Sequence, residues 1–260
     1  MTVEREKSAV RDYWQARPCG TTLSGERAGS PEFFAEIEAK RYRAEPFIHE
    51  FADFASWRGK RVLEIGVGAG SDFLNFVRAG ADATGIDLTA AAITLVRKRL
   101  ALEGLDAHTL VADAEDLPFA EGSFDLVYSW GVLHHTPDTQ RAIREVHRVL
   151  RRSGEARIML YARRSWVALG LWVRNGLGRG RPWRTFSEVL ADHLESPGTK
   201  AYTDGETARL FSGFADLEVR RFLTPYDRRV GGPLTRIVAA GFFVGIRARA
   251  PRRQPQGVSS

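Results

Sequence analysis

Glycines at alternate positions directly after a short apolar segment constrain the fold of this chain more than any other feature. Residues 61–65 read Arg-Val-Leu-Glu-Ile, and Gly66, Gly68 and Gly70 follow before a segment with helical spacing. Glycine adopts the positive φ angles of a tight turn and lets a ligand approach the backbone closely. A strand, a glycine-rich turn and a helix in this order predict a nucleotide site at the carboxyl end of a strand.

Two acidic residues indicate which kind of nucleotide ligand the predicted site would bind. Asp87 ends a second apolar segment, where a carboxylate accepts hydrogen bonds from ribose hydroxyls. Glu64 lies where it would repel a pyrophosphate and attract a cationic ligand. The spacing Glu64-x-Gly66-x-Gly68-x-Gly70 also differs from the Gly-x-Gly-x-x-Gly pattern of dinucleotide-binding proteins. These residues favour a ligand that carries positive charge.

Further motifs follow in register. Asp113 and Ala114 come after a third apolar segment, a fourth segment ends at Ser129, and a loop with His134 and His135 comes next. The order and spacing over residues 60–161 resemble those of class I S-adenosylmethionine-dependent methyltransferases, and among them the family associated with small-molecule and quinone substrates. The resemblance implies S-adenosylmethionine as the cofactor.

The resemblance also implies roles for single residues. The carboxylate at Asp113 would meet the adenine amino group, Ala114 would meet the ring through its backbone, and the loop from Ser129 to Leu133 would line the methionine end. The complete set of expected cofactor-binding residues is Glu64, Gly66, Gly68, Gly70, Asp87, Leu88, Asp113, Ala114 and Ser129.

Strand-like and helix-like segments alternate through the middle of the chain. Strands are expected at 61–65, 83–87, 107–111, 124–129 and 156–161, with helices at 71–79, 90–103 and 140–150. This alternation implies right-handed crossovers and a mostly parallel sheet with helices on both faces. Two later segments, 217–223 and 237–247, resemble the antiparallel hairpin that completes such sheets. The expected fold is a Rossmann-like α/β fold with a seven-stranded sheet.

Two segments lie outside this alternation. Residues 1–55 are expected to form a helical lid over the acceptor pocket, with Ser30 capping a helix and Pro31 starting it. Residues 163–200, rich in tryptophan, arginine and glycine, are expected to form an acceptor-side insertion within a cofactor-binding domain at 56–250. Residues 251–260 are expected to be a disordered tail.

The catalytic residue is harder to predict than the cofactor loop. A sulfonium is a strong electrophile, so methyl transfer requires alignment of the acceptor and removal of a proton where the acceptor carries one. His134 and His135 are the candidate bases, because the loop after the fourth strand faces the methyl group in this fold and imidazole titrates near neutral pH. The alternative is that either histidine only packs or forms hydrogen bonds within the loop.

Composition leaves other functions open. The net charge of +6 comes mostly from arginine and fits solvated surfaces as well as a nucleic-acid partner. An RNA methyltransferase is one alternative, but the Asn-Pro-Pro-aromatic motif of enzymes that methylate base amino groups is replaced by Ser129-Trp130-Gly131-Val132. A cyclase or decarboxylase is the other, because a fold and a cofactor do not determine the reaction. The expected partner is a small-molecule methyl acceptor rather than a nucleic acid.

The remaining expectations concern cysteine, metals and membranes. Cys19 is the single cysteine, so neither an internal disulfide nor a zinc site made of several cysteines can form, and no metal is expected. No signal-peptide core and no long uninterrupted apolar run are present, which favours a cytoplasmic protein without a membrane partner. The oligomeric state and the methylated atom cannot be read from the sequence.

Overall fold

Seven strands within residues 3–251, the part of the chain that the computed structural model describes, form a single sheet. The strands are β1 Arg61–Ile65, β2 Asp82–Asp87, β3 His108–Val111, β4 Phe124–Trp130, β5 Leu150–Tyr161, β6 Ala215–Phe222 and β7 Phe243–Arg249. Their order is β3-β2-β1-β4-β5-β7-β6. β1 to β5 run parallel, whereas β7 runs antiparallel to both of its neighbours. The predicted Rossmann-like α/β fold is confirmed.

The helices pack around this sheet and extend from it at both ends of the chain. They are α1 Val3–Ala16, α2 Pro31–Ala44, α3 Phe47–Ala52, α4 Ser71–Arg78, α5 Ala90–Glu103, α6 Thr139–Val149, α7 Trp166–Asn175, α8 Phe186–His193, α9 Asp204–Leu210 and α10 Pro225–Gly231. Short 3-10 helices lie at Thr21–Leu23, Phe54–Trp57, Leu133–His135, Leu177–Arg179 and Gly232–Arg236. No helix of residues 3–251 combines the length and apolarity that a membrane crossing requires.

Alternating side chains divide the core between the two faces of the sheet. On β1, Val62 belongs to the apolar cluster of one face, whereas Leu63 and Ile65 belong to the cluster of the other. Every residue of β4 is buried, because helices cover both of its faces. Glu64 is a buried carboxylate among the apolar residues Val62, Leu63 and Ile65 near the end of β1.

Most predicted boundaries agree with the structure to within one or two residues, and two do not. β5 begins at Leu150, where its pairing with Phe124 starts, rather than at residue 156. β7 begins at Phe243 rather than at residue 237. Residues 237–240 instead bind the start of α7, since Trp166 donates its backbone N–H to Ala240 and its indole N–H to the Val238 carbonyl.

The N-terminal helices are joined to the sheet by polar contacts as well as by apolar packing. Ser30 caps α2 through the N–H of Phe33, as expected. The Arg41 guanidinium of α2 binds both carboxylate oxygens of Asp72 in the first turn of α4, at 2.6 and 3.2 Å. The predicted tail lies outside the described residues except for Pro251.

Gly85 tests the packing that supports the glycine loop. A Cβ atom at this position on β2 would lie 2.8 Å from a methyl group of Val67 and 2.9 Å from the Phe73 ring. We therefore expect Gly85→Ala to lower the free energy of unfolding by about 1–3 kcal/mol in urea titrations.

Gly205→Ala is the matched control for Gly85→Ala. Gly205 lies in α9, and a Cβ atom there would have no heavy atom within 4 Å. This control should leave the free energy of unfolding unchanged or raise it, since alanine favours a helix over glycine. Equal stabilities of the two variants would contradict the tight packing at Gly85.

Candidate cofactor and acceptor site

A cavity opens at the carboxyl ends of the parallel strands, beneath the N-terminal segment. Its floor is formed by the ends of β1 and β2 and by the loops after β3 and β4, and α1 and α2 cover it. The predicted cofactor residues that line it are Glu64, Gly66, Gly68, Asp87, Leu88, Asp113 and Ala114. Gly70 and Ser129 do not line it.

The glycine loop adopts the backbone conformation that only glycine accepts readily. The φ angles of Gly66, Gly68 and Gly70 are 83°, 51° and 80°. A Cβ atom on Gly66 would lie 2.2 Å from a methyl group of Val132, and one on Gly68 would lie 3.0 Å from the carbonyl oxygen of Cys19. A side chain at Gly68 would thus meet the N-terminal segment.

Asp87 supports the glycine loop from the end of β2. Its Oδ2 accepts the Gly68 N–H at 3.2 Å, and its Oδ1 accepts the backbone N–H and the hydroxyl of Thr89 at 2.9 and 2.8 Å. Burial raises the pKa of Asp87 above its ordinary value, although these donors oppose the shift. Oδ1 already accepts two hydrogen bonds, whereas Oδ2 accepts one and keeps a lone pair for the ribose hydroxyls that the sequence assigns to Asp87.

Glu64 is a buried carboxylate with unused hydrogen-bonding capacity. It is 4% exposed, and its Oε2 has no hydrogen-bond partner among the described residues. Burial and the neighbouring Asp72 raise the pKa of Glu64 well above its ordinary value, while Arg41 opposes this shift. A cationic group in the cavity would satisfy Oε2, so this site fits the ammonium of S-adenosylmethionine.

Asp72 uses its charge in protein contacts instead. Besides Arg41, it accepts hydrogen bonds from the hydroxyls of Tyr42 and Tyr128, both at 2.9 Å. Arg41 and Asp72 both line the cavity, and the sequence analysis missed them. The sequence feature that could have indicated Asp72 as a site residue is its position two residues after Gly70.

Asp113 is already paired with the N-terminal helix. The Lys7 ammonium on α1 lies 2.6 Å from Asp113 Oδ2 and 2.7 Å from Glu115 Oε2. Burial alone would lower the pKa of Lys7, but these two carboxylates raise it above its ordinary value. Lys7 therefore stays charged and holds α1 against the expected adenine position.

The two adjacent histidines have different surroundings. His135 lines the cavity, and its Nδ1 lies 2.8 Å from the Ser196 hydroxyl and 2.9 Å from the Thr199 hydroxyl. His134 does not line the cavity; it packs on Tyr161 with 3.8 Å between ring centroids, and neither ring nitrogen has a hydrogen-bond partner in the part of the chain that the structure describes. Burial lowers the pKa of His134 well below its ordinary value, so it stays neutral.

Ser129 and Cys19 are two further residues with side chains capable of chemistry in the site. The Ser129 hydroxyl donates to the Ile65 carbonyl at 3.1 Å and so joins β4 to β1. Cys19 lines the cavity and its side chain is exposed. Among residues 3–251, no three His, Cys, Asp or Glu side chains gather as a candidate metal site.

Comparison with known sequences identifies relatives of this chain. A family model described as a methyltransferase domain matches residues 63–158. Phthiotriol/phenolphthiotriol dimycocerosates methyltransferase 1 of Mycobacterium ulcerans is 34% identical over 198 residues, which cover 74% of this chain and 68% of the relative. An uncharacterised protein of Mycobacterium tuberculosis is 33% identical over 172 residues, or 66% of this chain. The chain spans only 59% of that relative's length.

Comparison with solved structures supports the same fold over most of the chain. The crystal structure of the (4+2)-cyclase SpnF superposes with a TM-score of 0.62 and 17% sequence identity. The match covers 95% of this chain and 97% of the cyclase. At this identity the likeness shows the fold alone.

Asp87 provides a test of the ribose contact. Asp87→Ala should weaken S-adenosylmethionine binding by roughly 1–3 kcal/mol, because the ribose hydroxyls lose their buried acceptor. Calorimetric titration measures the effect, and Asp82→Ala at the exposed start of β2 is the control. If Asp87→Ala retains its fold and binds as tightly as the parent protein, Asp87 is not the ribose ligand.

The pH dependence of cofactor binding provides a test of Glu64. Its raised pKa means that it holds a proton in the cofactor-free protein, and a bound cation would lower that pKa. Binding should therefore release a proton, and affinity should rise with pH until the pH exceeds the raised pKa. Calorimetry in buffers with different ionisation enthalpies measures the release. Glu64→Gln should abolish it, and an equal release from this variant would assign the proton to another group.

Proposed function

Because the chain belongs to the class I S-adenosylmethionine-dependent methyltransferases, we propose that it transfers a methyl group to a small, partly apolar organic acceptor bound in the cavity. The observation that carries this proposal is the position of His135, which faces the cavity from the loop after β4. The other wall residues on this side are mainly apolar: Val10, Trp14, Ile37, Trp130, Val132 and Pro137.

The cofactor half of the cavity would be held by residues of the sheet. Bound S-adenosylmethionine supplies an electrophilic methyl group on a sulfonium. Glu64 would accept the ammonium, Asp87 the ribose hydroxyls, and Asp113 the adenine amino group. The glycine loop leaves room for close approach because Gly66 and Gly68 lack side chains. These contacts would fix the position of the methyl group relative to His135.

His135 is suited to accept a proton at Nε2. Thr199 donates its own hydroxyl proton to the Ser196 carbonyl at 2.6 Å, so its oxygen is left to accept from Nδ1–H of His135. We propose that His135 carries its proton on Nδ1, donated to Thr199, and keeps a lone pair on Nε2. Glu195 Oε2 lies 3.5 Å from Nε2 and would stabilise the imidazolium that forms after proton transfer.

Access to this nitrogen requires movement of the N-terminal helix. Within residues 3–251, Nε2 of His135 is buried and has no hydrogen-bond partner, and the Trp14 ring of α1 contacts the imidazole edge-on at 5.3 Å between centroids. We propose that residues 1–55 act as a lid, which Lys7 holds closed through Asp113 and Glu115. An acceptor would enter when α1 lifts, and closure would exclude water from the methyl group.

The relatives guide the choice of acceptor class. The Mycobacterium ulcerans relative is named for phthiotriol and phenolphthiotriol dimycocerosates, and we propose for this chain an acceptor with an apolar body and an ionisable hydroxyl or amine. A specialised metabolite of this kind matches the apolar wall and the single candidate base. The RNA methyltransferase and cyclase or decarboxylase alternatives predict different products, namely methylated RNA or turnover without methyl transfer.

The proposed function is tested by release of S-adenosylhomocysteine with a panel of apolar phenols, alcohols and amines. Given an acceptor, His135→Ala should lower the single-turnover rate at saturating cofactor by about 10²–10⁴-fold. Thr199→Val should lower it less, because it removes only the group that orients the imidazole. His108→Ala on the exposed start of β3 is the control and should match the parent protein.

If His135→Ala keeps the single-turnover rate of the parent protein, His135 is not a general base, and alignment of the acceptor with the methyl group accounts for catalysis. His134→Ala should instead lower the free energy of unfolding, because that ring packs in the interior. Turnover of an acceptor without S-adenosylhomocysteine would contradict methyl transfer and support the cyclase alternative. Methylation of RNA in preference to every small acceptor would support the RNA methyltransferase alternative.

A further inference from the structure

Exposed apolar side chains are concentrated in two short segments of the chain. Of the fifteen large apolar side chains exposed among residues 3–251, nine lie within residues 169–183 and 226–238. Ile237 is 82% exposed, Trp183 75% and Tyr226 70%. The other members of the group are Leu169, Val173, Leu177, Val230, Leu234 and Val238. Single exposed apolar residues are ordinary, but a cluster of this size indicates a binding surface.

The same two segments carry a one-sided charge. Extended to residues 164–183 and 225–241, they contain seven arginines and a single acidic residue. The arginines are Arg164, Arg174, Arg179, Arg181, Arg228, Arg229 and Arg236, all exposed and none within ion-pair distance of another described residue. The acidic residue, Asp227, is fully buried and accepts hydrogen bonds from Thr224 and Phe242. The outward charge of this region is therefore positive.

Direct contacts join the two segments into one surface. A Cβ atom at Gly170 on α7 would lie 3.0 Å from a methyl group of Val230, so α7 packs closely against α10. The Val167 N–H donates to Asp227, and the Trp166 indole donates to the Val238 carbonyl at 3.0 Å. We call the combined surface, residues 164–183 with 225–241, the arginine-rich apolar face.

We propose that the arginine-rich apolar face docks on the surface of an anionic lipid bilayer. Exposed leucine, valine and isoleucine side chains gain free energy by leaving water for the acyl region, whereas arginines on the same face pair with anionic headgroups. Tryptophan and tyrosine prefer the boundary between these two environments. This proposal replaces the sequence-based expectation of no membrane partner, which considered only spanning segments.

Two other occupants fit the surface less well. A second copy of the chain docked through this face in a two-fold symmetric dimer would bring two sets of seven arginines together, and like charges would repel. An RNA would match the arginines but would leave the aliphatic side chains without an apolar environment. The combination of exposed aliphatic residues with unpaired arginines favours lipid.

The face shares a chain segment with the candidate site. Residues 163–200 carry α7 at the face and also supply Ser196 and Thr199 to His135. Docking would therefore involve the same insertion that supplies the hydrogen-bond partners of His135. The proposal itself does not depend on methyl transfer, because lipid binding is measured without cofactor or acceptor.

Sedimentation with vesicles tests the proposal on the full chain. We expect binding to vesicles that contain phosphatidylglycerol, weaker binding to pure phosphatidylcholine, and a loss of binding as salt is raised. Trp183→Ser combined with Ile237→Ser should weaken partitioning by about tenfold or more, since two apolar side chains no longer leave water. Arg228→Gln and Arg229→Gln should each weaken binding to anionic vesicles by about fivefold.

Control variants separate this face from the general charge of the chain. Leu102→Ser on α5 and Arg152→Gln in β5 change an exposed apolar residue and an exposed arginine elsewhere, and both should bind vesicles like the parent protein. Unchanged cofactor binding by all variants verifies their fold. The proposal is overturned if the parent does not bind anionic vesicles at low salt, or if the control variants lose as much binding as the face variants. Concentration-dependent dimerisation that the face variants abolish, without vesicle binding, would assign the face to a second copy instead.

Discussion

The ion pair between Arg41 and Asp72 is the contact on which the geometry of the site depends. It joins α2 of the N-terminal segment to the first turn of α4, directly after the glycine loop, and Tyr128 on β4 binds the same carboxylate. The N-terminal segment, the glycine loop and the central sheet therefore meet at one buried acid. Because Arg41 is committed to Asp72, Glu64 keeps an unsatisfied oxygen that attracts a cationic ligand.

The acceptor side of the site is built by the two segments that interrupt the α/β alternation. The N-terminal helix contributes Trp14, which covers His135, and the insertion contributes Ser196 and Thr199, which orient it. Under the proposed function, the sheet would position the cofactor, and these additions would decide which acceptor reaches it. In a fold that supports many reactions, such additions are where specificity arises.

Local patterns explain why so much of the fold could be predicted. The strand and helix periods, the helix cap at Ser30 and the positive-φ glycines depend on residues close together in the chain, and the structure agrees with each of them. The late start of β7 could not be predicted, because residues 237–240 bind Trp166, some seventy positions earlier. Contacts of that sequence separation leave no periodic signal.

The sequence by itself determined the α/β sheet, the glycine loop and the acidic residues at the strand ends. The alternation of strand and helix patterns along the chain and the chemistry of the turns depend on residues close together in sequence. Only the tertiary structure decided that His135 faces the cavity while His134 packs on Tyr161, because the two are adjacent and alike in sequence. It also decided that two arginine-rich segments, separated in the chain by residues 184–224, form one exposed apolar face. Exposure depends on which distant residues cover a side chain, and no local pattern records that.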